Sequence, residues 1–313
     1  MKEQQLIIEN IVGNIEKVII GKRKEVYNLM KGIIANGHIL IEDVPGVGKT
    51  TIVKALAKSI DLTYSRIQFT PDLLPSDITG ISIYNQKTME FEFRKGPVFA
   101  NIVLADEINR TSPKTQSALL EVMEEIQVSE GNHTYKLQEP FFVLATENPI
   151  EHEGTFVLPE AQLDRFMIKV DIGYPEPEDE SRILEKYRND DPMQSLESVA
   201  SVEDILEIQK KVRDIRVSKE INDYIVRIVN ETRNNKSILL GASPRAALAL
   251  LRVSQASALI QGRNYVIPED IKENAPLVLS HRVTLSALAR ANSYNNDAVI
   301  HDILKNVPVP VVK

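Results

Sequence analysis

The sequence predicts an α/β protein: a parallel sheet over its first part and helices over its second. Three observations predict it. Across the first 175 residues, short apolar runs alternate with segments of helical periodicity, the pattern of a parallel sheet. Those runs are apolar throughout rather than alternating, as strands covered on both faces should be. Beyond Tyr174-Pro175-Glu176-Pro177-Glu178 the strand signal fades and helical patterns follow one another. The expected division is therefore 1–175 and 176–313.

Taken in order, the first strand is His38–Glu42, and a glycine-punctuated turn follows it into a helix-forming segment. Ser65–Phe69 is the second strand, and Asn101–Ala105, with Asp106 just past its end, is the third. Ser112 then caps a helix with Pro113 in its first turn, and Leu119, Val122, Met123 and Ile126 form its apolar stripe. Phe141–Thr146 and Met167–Ile172 complete five strands. Two segments interrupt the alternation as hairpins: about 81–93, with a polar turn between alternating strands, and about 127–135, with Gly131-Asn132 at its tip. In the second part, Ile221, Tyr224, Ile225, Ile228 and Val229 mark one amphipathic helix, and Pro244–Gln261, closed by Gly262, marks a long one.

The chemistry concentrates in Asp43-Val44-Pro45-Gly46-Val47-Gly48-Lys49-Thr50-Thr51. Gly46 and Gly48 let the backbone curl so that successive N–H groups face an anion, and the following helix adds its positive end. Lys49 suits the β/γ-phosphates and the Thr50 hydroxyl suits Mg²⁺. Asp43 occupies the place where this pattern usually begins with glycine, which puts a carboxylate near the phosphates.

Four further features accompany this cradle. Asp106 and Glu107 end a buried strand, where α/β proteins bind ligands; Asp106 suits Mg²⁺ through water and Glu107 suits activation of a water. Asn148 ends another strand and can both donate and accept, although Asn148-Pro149 is also a turn signal. Arg165 lies between Asp164 and Phe166: it is either a local salt bridge to Asp164 or a finger reaching a neighbouring subunit's γ-phosphate, worth roughly 10³–10⁵ in rate. Arg245 sits in the first turn of the helix that Ser243 caps, where a cation opposes the helix dipole and calls for an anion, carboxylate or phosphate.

Bulk properties narrow the alternatives. Composition is 43% hydrophobic and 26% charged, with 13 Gly and 16 Pro, ordinary for a globular chain of 313 residues. Net charge is −7, so there is no electrostatic footprint for nucleic acid. The absence of cysteine excludes disulfides, zinc–thiolate sites and thiol catalysis. His38, His133, His152, His281 and His301 show no close metal-ligand spacing. The start of the chain lacks a signal-peptide h-region and no run approaches the roughly 20 apolar residues of a membrane helix, so a cytoplasmic protein without membrane insertion is expected.

Together these residues resemble the MoxR-type AAA+ ATPases over nearly the whole chain. The resemblance rests on Glu42–Thr50, Leu104–Arg110, Pro113–Glu121 and Leu158–Phe166. It implies a P-loop core, three-layered with a five-stranded parallel sheet, followed by an all-α lid, and assembly as a homo-oligomeric ring, usually hexameric. It makes Lys49 and Thr50 the Walker A pair, Asp106 and Glu107 the Walker B pair, Asn148 the polar sensor, Arg165 the trans-acting finger and Arg245 the lid sensor. Ile20-Gly21 is similar to the segment lining the adenine, and Val44–Thr51 is the phosphate loop. Arg110 fits the family pattern without an assigned role. The expected function is Mg²⁺-dependent ATP hydrolysis, with ATP between core and lid. Hydrolysis would drive movement between the two and remodel a protein client beside a von Willebrand A-domain partner. A nucleic-acid-associated motor and a regulatory subunit of a metal-chelatase-like complex are the alternatives.

Overall fold

The computed structural model describes residues 2–44, 46–148, 155–188 and 191–310. Two helices, α1 (Lys2–Ile15) and α2 (Arg23–Ile34), precede β1 (His38–Glu42) and α3 (Lys49–Ser59). Next come β2 (Tyr64–Gln68), the short α4 (Pro75–Thr79), β3 (Gly80–Asn85), β4 (Glu90–Lys95), β5 (Ile102–Asp106) and α5 (Pro113–Glu125). β6 (Gln127–Glu130), β7 (His133–Lys136), β8 (Phe142–Glu147), α6 (Glu160–Leu163) and β9 (Phe166–Val170) follow. The helical part comprises α7 (Pro177–Lys186), α8 (Val202–Asp214), α9 (Lys219–Asn234), α10 (Pro244–Ile260), α11 (Pro268–Leu279), α12 (Ala287–Ala291) and α13 (Asn296–Asn306). It also holds a small antiparallel pair, β10 (Ile238–Leu240) and β11 (Thr284–Leu285), which the sequence pattern did not reveal.

The main sheet has five strands in the order β2-β5-β8-β1-β9, all parallel. Each strand is one of the five expected, shifted by a residue at most at its start. Because side chains alternate across a strand, Ile39 and Ile41 of β1 enter one core and Leu40 enters another. The second core packs α5 through Leu119, Leu120 and Met123. The first continues from the sheet face through α1, α2 and α3 into α8–α11 and α13, so sheet and helical part share one apolar interior.

Both hairpins form, β3–β4 and β6–β7. They are joined: Phe93 stacks on Tyr135 with ring centroids 4.2 Å apart. Among the described residues no helix is long and apolar enough to cross a membrane.

Parallel strands give the sheet two unlike ends. Register pairs Glu42 with Glu147 and Gln68 with Asp106, so the C-terminal ends of β1, β2, β5 and β8 form one edge. His38 opens β1 opposite Phe166, the first residue of β9, at the other edge.

Candidate active site

The glycine turn leaves β1 at the C-terminal edge. Gly46 and Gly48 have φ of +89° and +86°, the left-handed region that other residues rarely adopt, and Gly48 is the N-cap of α3. A Cβ on either would meet nothing within 4 Å, so these glycines serve backbone conformation and leave open space beside it. Lys49 and Thr50 open α3, and Lys49 Nζ donates to the Asp43 carbonyl at 2.7 Å. Pro45, counted with this loop, lies outside the described residues.

Asp43 is engaged on main-chain amides: its carboxylate accepts backbone N–H groups from Val44, Ile172 and Gly173. The left-handed geometry that could explain an aspartate here is not used, since Asp43 is absent from the residues with positive φ.

Beside the turn, a cavity of about 290 Å³ is lined by Val18, Ile20, Val47, Thr51, Ile183 and Tyr187. It joins the segment before α2, the turn, and α7 with the residue after it. Gly46 and Gly48 border it too. Gly21 lines the adjoining cavity, against Asp179 and Arg182. The apolar walls suit a flat heterocycle, with the N-terminus of α3 next to it for an anion.

Asp106 and Glu107 end β5 at the same edge. The Thr146 hydroxyl donates to Asp106 Oδ1 at 2.7 Å and accepts the Glu107 backbone N–H at 2.8 Å, so one side chain of β8 orients both acids. Asp106 Oδ2 accepts from Arg66 Nη2 at 2.6 Å and Nε at 3.0 Å. Glu107 has φ +58°, a strained value for a non-glycine residue. Its Oε2 accepts from Gln68 Nε2 at 2.9 Å and Arg110 Nη1 at 3.0 Å. Sequence reasoning missed Arg66 and Gln68; the only signal was their alternation on the strand that pairs with β5. Asn148 is buried just beyond β8 on this edge.

The donors here are oxygens: the Thr50 hydroxyl and the Asp106 carboxylate. That set suits Mg²⁺ rather than a softer ion. Both Asp106 oxygens are engaged by Thr146 and Arg66, which fits contact with an ion through water. Among the described residues, no group of three or more His, Cys, Asp or Glu could hold an ion alone. The remaining positions around Mg²⁺ would fall to phosphate oxygens and water.

At this edge, Glu147 of β8 lies opposite Glu42 of β1, with Lys169 of β9 beyond. Burial pushes its carboxyl up to about 7, repulsion from Glu42 adds to this, and Lys169 opposes it. Lys169 Nζ donates to Glu42.

The two arginines lie elsewhere. Arg165 precedes β9 at the N-terminal edge, four strand residues from the turn, or about 13 Å. Its ion pair is with Glu124 at 2.8 Å, while Asp164 turns instead to Arg282 Nε at 2.8 Å and Ser243 Oγ at 2.8 Å. Arg245 pairs with the same Glu124 carboxylate at 2.7 Å. The anion that its place in the helix called for is thus a carboxylate, and the two cations hold the Glu124 carboxyl below its ordinary range. Both arginines line a cavity of about 300 Å³ with His38, Met123, Glu124 and Arg252. The His38 Nδ1 accepts the Val143 N–H and its Nε2 lies 3.0 Å from the Met123 carbonyl; burial draws its pKa down to about 4, so it stays neutral as a structural group. Of the helical part, α7 borders the glycine turn through Ile183, whereas Arg245 lines the cavity at the other edge.

The family described as "ATPase family associated with various cellular activities (AAA)" matches residues 38–168, and the AAA lid domain matches residues 230–303. The chain is 52% identical over 305 residues to the uncharacterized protein YeaC of Bacillus subtilis, covering 97% of this chain and 95% of that one. It is 43% identical over 314 residues to Chaperone MoxR1 of Mycobacterium tuberculosis, covering 97% and 83%. Protein MoxR of Methylorubrum extorquens is 29% identical over 323 residues, covering 95% and 93%. A crystal structure of a protein from Cytophaga hutchinsonii superposes with a TM-score of 0.92 at 43% identity, over 99% of this chain and 97% of that one. With a glycine-turn cradle after β1, two acids at the same sheet edge on β5 and relatives aligned almost end to end, this chain is a nucleotide-binding ATPase that belongs to the MoxR-type AAA+ family.

Proposed function

We propose that the protein couples Mg²⁺-dependent ATP hydrolysis to the remodelling or maturation of a protein client. The carrying observation is the convergence, at one sheet edge, of the glycine turn, the N-terminus of α3 and the Thr146-bridged acids. In this reading Val44–Thr51 cradle the phosphates, while Ile20 and Gly21 border the adenine. Thr50 and, through water, Asp106 would hold Mg²⁺, which would supply neutralisation of phosphate charge when bound. Lys49 stabilises the charge that develops on the transferred phosphoryl group. Glu107 orients the attacking water and takes its proton; Gln68 and Arg110 hold its carboxylate until then. Asn148 positions the water or the γ-phosphate.

Arg165 and Arg245 complete a neighbour's site rather than their own. They lie together at the far edge of the sheet, and Glu124 holds both in the meantime. Family membership supports oligomeric assembly, and a site divided between opposite edges fits a closed ring, a hexamer in our reading. The relative named as a chaperone supports a client-remodelling role. The von Willebrand A-domain partner rests on the family resemblance, and cytoplasmic action on the sequence reading.

The test is Glu107→Gln. The variant is expected to bind ATP with wild-type affinity and to lose about 10²–10⁴ in turnover. Unchanged turnover would remove Glu107 from this role. Affinity capture with the ATP-loaded variant identifies the client: a von Willebrand A-domain protein supports the reading, whereas nucleic acid or a chelatase subunit replaces it.

A further inference from the structure

Asp43, the residue that stands where a phosphate loop usually has glycine, joins two parts of the nucleotide pocket. Its side chain is buried, 8% exposed. Oδ2 accepts the backbone N–H groups of Ile172 at 2.8 Å and Gly173 at 2.5 Å, and Oδ1 accepts that of Val44 at 2.7 Å. Its main-chain carbonyl accepts from Lys49 Nζ. One residue therefore contacts the phosphate loop through its carbonyl and Oδ1, and the exit from β9 through Oδ2.

That exit sets the position of α7. The chain leaves β9 at Val170, turns at Gly173 with φ +68°, and enters α7 at Pro177. Lys22 Nζ donates to the Tyr174 carbonyl at 2.8 Å, which ties the same bend to the segment before α2. Pro175, Ile183 and Tyr187 then form one wall of the cavity whose other walls are Val18, Ile20 and Gly48. A shift in the bend moves this wall. Two N–H groups converging on one carboxylate oxygen fix the bend with charge-assisted hydrogen bonds, about twice as strong as neutral ones.

We infer that Asp43 is a positioning residue for the base of the nucleotide: its carboxylate holds α7 at the distance from the phosphate loop that lets the cavity grip an adenine. The inference rests on the reading that ATP occupies this pocket. It explains a carboxylate beside a phosphate site, since both of its oxygens are taken up by the amides of Val44, Ile172 and Gly173.

The test compares binding of ATP with binding of inorganic tripolyphosphate, which has the phosphates and no base, by calorimetry on the full chain. Asp43→Ala keeps the carbonyl that Lys49 contacts and removes the clamp together with the single Val44 contact, so Gly173→Ala, which leaves that contact in place, is measured beside it. ATP affinity is expected to fall about tenfold or more, the equivalent of one charge-assisted hydrogen bond, with tripolyphosphate affinity within twofold of wild type. Asp43→Asn, which retains one acceptor oxygen for the two amides, is expected to recover most of the ATP affinity. Equal loss for both ligands would make Asp43 a part of the phosphate loop alone, and no loss for ATP would remove the role; either overturns the inference. If Asp43→Ala does not fold, Gly173→Ala strains the same bend without touching the loop and must give the same base-dependent loss, or the inference fails. Wild-type protein that binds neither ligand would instead overturn the nucleotide reading itself.

Discussion

The Thr146 hydroxyl donates to Asp106 Oδ1 at 2.7 Å, so strand β8 sets the orientation of the carboxylate that ends β5. The same oxygen accepts the Glu107 N–H, which fixes the strained turn on which the second acid sits. Thr146→Val preserves shape and deletes both contacts. Stability is expected to fall by about 1–3 kcal/mol, the cost of buried groups left without partners. Turnover should fall roughly 10–100-fold, as when the group orienting a ligating carboxylate is lost. Urea unfolding and steady-state ATPase assays check the two effects separately.

Arg165 should act across subunits. Arg165→Ala alone is expected to lose roughly 10³–10⁵ in turnover. Mixed with Glu107→Gln, it should regain activity, because some interfaces then pair an intact Glu107 with an intact Arg165, up to about a quarter at equal mixing. Mixtures no more active than the separate variants would place Arg165 outside its neighbour's site.

Glu147 should make stability depend on pH. Its folded pKa, about 7, lies above the ordinary carboxyl value of 4.5, with Glu42, Lys169, Asp171 and Asp297 in the surrounding charge cluster. The folded state therefore binds the extra proton between pH 4.5 and 7, and stability declines as pH rises through that window. Glu147→Gln removes the buried charge. The variant should be more stable than wild type by about 1–3 kcal/mol at pH 8, with the gain vanishing as pH falls towards 5. Paired thermal melts at the two pH values test this.

Arg282 should matter far more than a surface arginine. It is buried, pairs with Asp164, and donates to the carbonyls of Phe166, Met167 and Val278. Burial lowers its pKa to about 10, against the pull of Asp164. Arg282→Ala takes the charged partner from Asp164 and the side-chain donor from the Met167 and Val278 carbonyls, so a loss of about 3–5 kcal/mol is expected. Lys305→Ala, which breaks an exposed pair with Asp302, should cost about 0–1 kcal/mol. Comparable losses in the two would show that burial does not decide the difference.

The strands were readable because each is a short apolar run between turn signals, and a buried parallel strand needs little else. Ser243 and Ser112 were readable as caps for the same local reason: each accepts the N–H three residues on. Contacts set by strand order were not. Arg66 and Gln68 reach Asp106 and Glu107 only because β2 pairs with β5, which no local pattern records. Asp43 looked like a liability for phosphate, because its partners, Ile172 and Gly173, lie 129 and 130 residues away. The need of Arg245 for an anion was readable from its place in the helix, but that Glu124 meets it, and that the helix packs against β9, was invisible in one dimension. The helices α1 and α2 were passed over because their apolar residues serve a core completed by elements 170 or more residues later.

The uninterrupted oily interior that runs from the sheet into α8–α13 has a mechanical corollary. A body so fused, further riveted where His281 and Arg282 grip the Phe166 carbonyl, resists flexing at its waist. Displacing the helical part from the sheet would uncover that interior, so the two are expected to move as one piece.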